Sequence, residues 1–360
     1  MQTINTALLS FGMSGRVFHA PFIALHQGFH LAGAWERSRH AIQEIYPQAK
    51  SYATFEAILE DDSIDLIVVN TPTYTHYDYA VRALQAGKHV VIEKAVTTTS
   101  AEAQALKALA IAQGRHIAVF QNRRWDSDFL TVKQVIDSGV LGDLNEVEIH
   151  FDRYNLSPGP KQHKELPNPG AGILKDLGPH AIHQALTLFG MPQALFADLR
   201  ITRPNSLVDD SFDLLLYYPA LRVCLKGSYI VKEPIPAYVV HGARGSFLKP
   251  RGDTQEAMLL QGIVPDKPDW GREPAAKRGM INYDKDGVTV REELATLQGN
   301  YAHFYAGVHD ALTGGGPMPV TIDDGINVMK IIEAAMASGE TRQVIELEQQ
   351  PGEFELKATM

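Results

Sequence analysis

The sequence predicts an α/β fold in two parts. Residues 1–122 read as a doubly wound parallel sheet covered by helices, and 123–360 as an α+β part with a large, mostly antiparallel open sheet. Three observations predict it. Up to about residue 122, short apolar runs alternate with helical segments, the pattern of a parallel sheet whose crossovers are helices. After Asn122 apolar and polar residues alternate with period two, which suits an antiparallel sheet with one buried face. The length of 360 residues is too great for one ordinary core and favours two domains.

In order along the first part, strands are expected at "INTALLSF" (4–11), "FHLAGAW" (29–35), "DLIVVNT" (65–71), "HVVIEK" (89–94) and "HIAVFQN" (116–122). Helices are expected at "YDYAVRALQAG" and "SAEAQALKALAIAQG", each with apolar residues at helical spacing and a closing glycine as C-terminal cap. In the second part the period-two segments are "VEIHFDRY", "LFADLRIT", "FDLLLYY", "VCLKGSYIV", "YVVHGARGSFLK" and "VTVREEL". Residues 155–171 and roughly 250–284 read as irregular loops. A last helix is expected over "DDGINVMKIIEAAMASGE", its acidic pair placed where the helix dipole favours it.

Charge and composition exclude several classes. The formal net charge is −9, and Lys and Arg form no basic stripe, so a nucleic-acid surface is not expected. No stretch reaches the ~18 apolar residues of a membrane span. The start "MQTINTALLSFGM" lacks a basic n-region and a small-residue cleavage site, so it is not read as a secretory signal. One cysteine, Cys224, excludes a disulfide framework and suggests a reducing compartment, so a cytoplasmic protein is expected.

Chemistry concentrates at three places. The first is "SFGMSGRVFHAP", where Ser10, Gly12 and Gly15 stand at the three glycine positions of G-x-G-x-x-G. The loop Phe11, Gly12, Met13, Ser14 and Gly15 follows a strand and opens a helix. There Gly12 would admit a pyrophosphate to the backbone, Gly15 would let helix and strand pack closely, and the helix N-terminus would supply N–H groups. Glu36, 21 residues after Gly15, is placed to accept bonds from adenosine ribose hydroxyls, which leans the cofactor towards NAD. Arg37, Ser38 and Arg39 follow directly and could hold a 2′-phosphate instead, or form a solvated loop.

The second is the tip of "HVVIEK", where an apolar strand ends in Glu93 and Lys94. Carboxyl ends of parallel strands line the ligand crevice, so these charges are candidates for chemistry; the alternative is a solvated loop. The third is "GAGILKDLGPHAIHQALTLFG" (170–190), a largely buried helix on which Asp176, His180 and His183 fall at i, i+4 and i+7. Pro179 either kinks this helix or starts it afresh. The stripe reads as a satisfied structural pair, as a catalytic pair, or as two imidazoles and a carboxylate for a metal; the metal reading is set aside because such spacing is common on helices.

The order and spacing of "SFGMSGRVFHAP", "TPTYTHYDYAVRALQAGKHVVIEKA", "QNRRWDSDF", "GAGILKDLGPHAIHQAL" and "GINVMKIIEAAMAS" resemble the glucose–fructose oxidoreductase and inositol dehydrogenase family, Gfo/Idh/MocA, over nearly the whole chain. The branch with "FHAP" after the glycine loop, which includes NADP-dependent scyllo-inositol dehydrogenase, is the most similar. The resemblance implies an N-terminal Rossmann domain binding NAD or NADP, and a C-terminal domain whose open sheet forms a homodimer or homotetramer. It implies a small-molecule polyol, inositol or sugar as substrate. Lys94 matches the lysine of an E-K-P motif beside the nicotinamide, preceded by Glu93. Asp176 and His180 match the catalytic aspartate and histidine, with His180 as proton acceptor. Asn122 and Arg123 match substrate contacts, and Thr71, Pro72 and His76 match the loop beside the cofactor.

Three positions depart from the family pattern: Ser10 for the first glycine, Ala95 for the motif proline, and His183 where an aspartate frequently binds substrate. A carboxylate only accepts from sugar hydroxyls, whereas a neutral imidazole offers one donor and one acceptor. An NAD(P)-dependent oxidoreductase is the first reading, and a dinucleotide-binding sensor or scaffold with weak or lost catalysis is the alternative.

Overall fold

A computed structural model describes residues 3–36 and 40–348. The described chain forms two compact units. The first comprises Met1–Asp126, Asp253–Arg272 and Gln298–Met329, and the second Ser127–Gly252, Glu273–Leu297 and Lys330–Met360.

In the first unit the described strands are β1 (Ile4–Leu8), β2 (Phe29–Trp35), β3 (Lys50–Tyr52), β4 (Leu66–Val69), β5 (His89–Glu93) and β6 (Ile117–Phe120). They form one parallel sheet in the order β3-β2-β1-β4-β5-β6. The order reverses between β1 and β4, so the crevice for a ligand opens at their carboxyl ends. Val90, Val91 and Ile92 are buried on both faces of β5, which is why that strand reads as an unbroken apolar run. The helices are α1 (Ala20–Leu25), α2 (Ala41–Ile45), α3 (Phe55–Leu59), α4 (His76–Gln85) and α5 (Ser100–Gln113). A capping box between Thr99 and Glu102 starts α5, and Gly114 at φ +59° ends it. The three-residue strand β3 carries too short a signal to have been read from the sequence.

The remaining elements in chain order are α6 (Ser127–Asp137), β7 (Leu144–His150), α7 (Gln162–Glu165), α8 (Ile173–Asp176), α9 (Gly178–Phe189), β8 (Ala194–Arg200), β9 (Ser211–Tyr217), β10 (Arg222–Ser228), β11 (Tyr238–Gly242) and β12 (Gly245–Lys249). Then follow α10 (Gln255–Leu260), β13 (Gly279–Lys285), β14 (Val288–Leu294), α11 (Ala302–Leu312), α12 (Ile322–Thr341) and β15 (Ile345–Glu346). Helices α10 and α11 belong to the first unit.

The second unit's sheet runs β14-β13-β12-β11-β7-β10-β9-β8-β15, antiparallel except for the β7–β10 pair. Val147, Ile149, Leu214, Leu216, Val223, Leu225 and Val240 are buried, while the intervening Glu146, Glu148, Asp213, Leu215, Lys226 and Val239 are only half-buried. That alternation is the period-two pattern of the sequence. The stretch 250–284, expected to be irregular, contains α10 and most of β13. Its "GMINYDK" is too polar to announce a strand, and the pairing comes from β12 and β14 on either side. Of the two readings of 170–190, a kinked helix or a fresh start at Pro179, the fold takes the fresh start. Helix α8 stops at Asp176 and α9 starts afresh at Gly178, with Pro179 in its first turn, where a missing N–H costs nothing.

Candidate functional site

At the end of β1 the chain turns through Ser10 to Ser14 before entering a helix at Gly15. Ser10 stands where a glycine is usual, and its side chain closes the turn: Oγ accepts the N–H of Gly12 at 3.1 Å. Its carbonyl accepts a bond from Asn70 Nδ2 at 2.8 Å, joining the ends of β1 and β4. A Cβ on Gly15 would lie 2.1 Å from the Ser10 carbonyl oxygen and 2.9 Å from Asn70 Nδ2, so no larger residue fits. At Gly12 a Cβ would lie 3.2 Å from Ser10 Oγ. Phe11 is buried edge-on to Tyr46, and Met13 is exposed. Asn70 Oδ1 is buried with no hydrogen-bond partner among the described residues. A turn that requires glycine and a helix start without a side-chain cap suit a ligand carrying phosphates, and the unsatisfied Asn70 Oδ1 suits a donor on such a ligand, such as a hydroxyl.

Ser14 reaches across the sheet end. Its hydroxyl donates to Glu93 Oε1, which also receives His19 Nε2 at 3.0 Å, while His19 Nδ1 meets the Tyr305 hydroxyl at 2.7 Å. Glu93 Oε2 accepts the backbone N–H of Lys94 at 3.3 Å. Burial alone would push the Glu93 carboxyl up. The bond and charge of His19, the Ser14 hydroxyl and the Lys94 charge outweigh it and hold the group at about 2. The two charges at the strand tip therefore have different surroundings: Glu93 is built into the fold, and Lys94 follows it at the crevice end. The Lys94–Ala95 peptide bond is cis.

Thr71, Pro72 and His76 form the loop after β4. Thr71 Oγ1 lies 2.6 Å from Thr75 Oγ1, which donates to the Pro72 carbonyl at 2.7 Å. The buried His76 ring bridges two carbonyl oxygens, Thr71 at 2.8 Å from Nε2 and Ala95 at 2.9 Å from Nδ1. Both oxygens only accept, so a neutral ring serves one at a time. Burial lowers the His76 pKa, against the raising influence of these carbonyls and of Glu93. His76 thus ties the Thr71–Pro72 loop to the chain directly after Lys94.

Glu36 ends the second strand as expected, but its carboxylate already has three donors. It accepts Ala41 N at 2.9 Å, Ile42 N at 3.2 Å and Ser51 Oγ at 3.3 Å, capping the start of α2. Arg37, Ser38 and Arg39 lie outside the described residues. Asn122 is buried at the start of a turn over Asn122–Trp125. Arg123 is paired with Asp126 at 3.3 Å and with Glu256. Although burial pulls its pKa down, those charges hold it well above the usual arginine range.

In the second unit, Asp176 closes α8 and His180 and His183 lie in the first two turns of α9, both histidines buried. The break at Leu177 means that the three residues are not one stripe on one helix. Lys164 Nζ lies 2.5 Å from Asp176 Oδ1. It comes from the short helix α7, inside the stretch 155–171 expected to be irregular, and its neighbour Glu165 accepts Gly159 N at 2.6 Å and pairs with buried Arg203 at 2.7 Å. The His180 ring stacks on Phe151 with centroids 6.1 Å apart and planes at 18°. On Phe151 the Arg251 guanidinium lies 4.0 Å from the ring centroid, and Arg251 also bonds the His150 carbonyl at 2.9 Å. Among the described residues no three His, Cys, Asp or Glu side chains gather where they could hold a metal ion. No helix among them is long and apolar enough to cross a membrane.

Sequence reasoning missed His19 and Tyr305 beside Glu93, Lys164 beside Asp176, and Phe151 beside His180. Only His19 had a signal, the "FHAP" that follows the glycine loop.

Comparison with known proteins places this geometry. Residues 4–121 match a family model described as oxidoreductase family, NAD-binding Rossmann fold, and residues 133–347 match the oxidoreductase family C-terminal alpha/beta domain. The chain is 39% identical over 342 residues to an uncharacterized oxidoreductase, YdgJ, of Escherichia coli strain K12, covering 95% of this chain and 98% of that one. It is 35% identical to the scyllo-inositol 2-dehydrogenase (NADP(+)) IolW of Bacillus subtilis strain 168, covering 97% of each chain. A crystal structure of an oxidoreductase from Bacillus cereus superposes with a TM-score of 0.88 at 30% identity, covering 97% of this chain and 99% of that one.

Proposed function

The chain belongs to the Gfo/Idh/MocA family of oxidoreductases, and from that premise we propose that it transfers a hydride between NAD or NADP and a secondary hydroxyl of a polyol, inositol or sugar. The observation that carries the substrate class is the 35% identity, over 97% of the chain, to a scyllo-inositol 2-dehydrogenase.

The glycine loop from Phe11 to Gly15 would hold the dinucleotide phosphates. Glu36 with Arg37 would face the adenosine ribose, with a lean to NAD, and Thr71, Pro72, His76, Glu93 and Lys94 would stand at the nicotinamide end. When bound, the nicotinamide supplies or accepts the hydride. The chain's own residues handle the proton and the charge. Hydride loss from a secondary alcohol requires a base for the hydroxyl proton, and imidazole is suited to that near neutral pH, so His180 takes it. Asp176 orients His180 and balances the imidazolium that results. The Lys94 ammonium stabilises negative charge developing on the alcohol oxygen. Asn122, Arg123 and His183 contact the other hydroxyls.

In the same reading the protein is cytoplasmic, with residues 1–122 binding the dinucleotide and 123–360 binding substrate. It assembles as a homodimer or homotetramer through its nine-stranded sheet, whose half-buried Leu215, Tyr217 and Val239 are suited to contact a second copy.

The test is a dinucleotide-reduction screen with NAD and NADP against cyclitols, aldoses and sugar acids, read by nicotinamide absorbance. Turnover with a cyclitol or sugar is expected. Tight dinucleotide binding without turnover on the whole panel would support the sensor or scaffold reading instead.

A further inference from the structure

We infer that His19 is a positioning residue that, backed by Tyr305, fixes the Glu93 carboxylate so that it holds the glycine loop and the Lys94 backbone in one arrangement. The inference rests on the proposed placement of the dinucleotide phosphates at that loop and is independent of the substrate's identity.

The chain of contacts is Ser14 to Glu93, His19 to Glu93, and Tyr305 to His19, with Lys94 N on the second Glu93 oxygen. An ionised carboxylate only accepts, so Ser14 Oγ–H and His19 Nε2–H both donate to it, whichever protonation state the ring has. Nδ1 then meets the Tyr305 hydroxyl, accepting from it when the ring is neutral and donating to it when the ring is protonated, so Tyr305 backs the ring in either state. His19 is 0% exposed and Tyr305 1%, so water does not compete for these bonds. The His19 ring also packs on Phe120 of β6 with centroids 4.3 Å apart, which leaves little freedom to turn. Ser14 of the glycine loop and His19 of the following helix therefore meet on one carboxylate, and Tyr305 of α11 reaches it through the His19 ring. Glu93 is the part of the strand tip that faces the cofactor loop, and its backbone neighbour is Lys94. A structural polar cluster would need only to be satisfied. This one joins the two segments that must be aligned for a dinucleotide and a reacting hydroxyl to be held together.

The experiment measures NADH and NADPH affinity by calorimetry in the full-length protein. His19→Leu removes the donor and should weaken binding of the preferred dinucleotide about tenfold, as expected for losing one hydrogen bond to a charged group. His19→Gln keeps an N–H donor and a carbonyl acceptor and should return affinity to within about threefold of wild type. Ser14→Ala and Glu93→Gln combined should bind no worse than the weaker single variant, because one bond accounts for both effects. Wild-type affinity in His19→Leu, no rescue by His19→Gln, or fully additive losses would each overturn the inference. Should His19→Leu fail to fold, Tyr305→Phe deletes one O–H only. A severalfold loss of affinity there supports the inference, and unchanged affinity refutes it. Gly12→Val is the control for the underlying placement: if it binds dinucleotide normally, the loop is not the phosphate site, and the inference falls with that reading rather than through His19.

Discussion

The ammonium of Lys164 lies 2.5 Å from the carboxylate of Asp176, and the short helix α7 that carries it is anchored by Glu165 to the buried Arg203. A residue of a four-residue helix thereby sets the surroundings of a carboxylate expected to serve catalysis. Lys164→Met should lower kcat/KM about tenfold, the worth of one charge-assisted hydrogen bond, while leaving dinucleotide affinity unchanged. Lys164→Arg should recover most of the loss. Equal kcat/KM in wild type and Lys164→Met would show that this ion pair only ties down the loop.

Glu36 has one observed role, as the cap of α2, and one proposed role, at the adenosine ribose. Its carboxylate caps α2 through Ala41 N and Ile42 N, so shortening it should cost stability as well as change cofactor choice. For Glu36→Ser the melting temperature should fall by roughly 2–6 °C, as for loss of a helix cap. Binding of NADP should improve relative to NAD, because a charge that repels the 2′-phosphate is gone. An unchanged melting temperature would contradict the capping role, and an affinity ratio unmoved or shifted towards NAD would remove Glu36 from cofactor selection.

Acid stability tests the buried carboxylate of the strand tip. The Glu93 carboxyl has an ordinary value of 4.5 when exposed and about 2 in the fold, so folding favours its ionised form. The stabilisation is complete above pH 4.5 and is lost as pH falls through about 2. Urea unfolding of wild type and Glu93→Gln across that window should show the wild-type advantage shrinking steadily as the solution becomes more acid. A difference that stays constant from pH 5 to pH 2 would mean that Glu93 is not held ionised by His19 and Ser14.

Much of the fold was legible because its signals are local. The apolar run Val90 to Ile92, the capping box of Thr99 and Glu102 and the closing Gly114 each follow from a few adjacent residues. Strand β13 was not legible, since "GMINYDK" becomes a strand only between β12 and β14. Pro179 allowed a kink or a restart, and in the fold α9 restarts at Gly178 with Pro179 in its first turn. The candidate site divides in the same way. Gly12, Gly15, Lys94, Asp176 and His180 stand in stretches with a readable pattern. Tyr305 lies 286 residues from His19, and Lys164 sits on a short helix inside a Pro- and Gly-rich stretch, so their roles exist only in the folded chain. Glu36 shows the converse: an acid expected from its spacing to face a ribose, whose carboxylate is engaged by backbone N–H groups that no motif reveals.

In the proposed mechanism Lys94, directly after β5, stabilises charge on the oxygen of a substrate hydroxyl while a dinucleotide is held at the glycine loop. The direct measurement is turnover of Lys94→Met on a cyclitol or sugar that wild type oxidises, alongside dinucleotide affinity by calorimetry. Methionine keeps much of the length and the apolar stem of lysine and deletes the ammonium. Lys94→Met is expected to lose about 10²–10³ in kcat, as for removal of other oxyanion donors, with dinucleotide affinity changed far less. Turnover close to wild type would contradict it, and Lys94 would then be a charge at a strand end with no part in the chemistry.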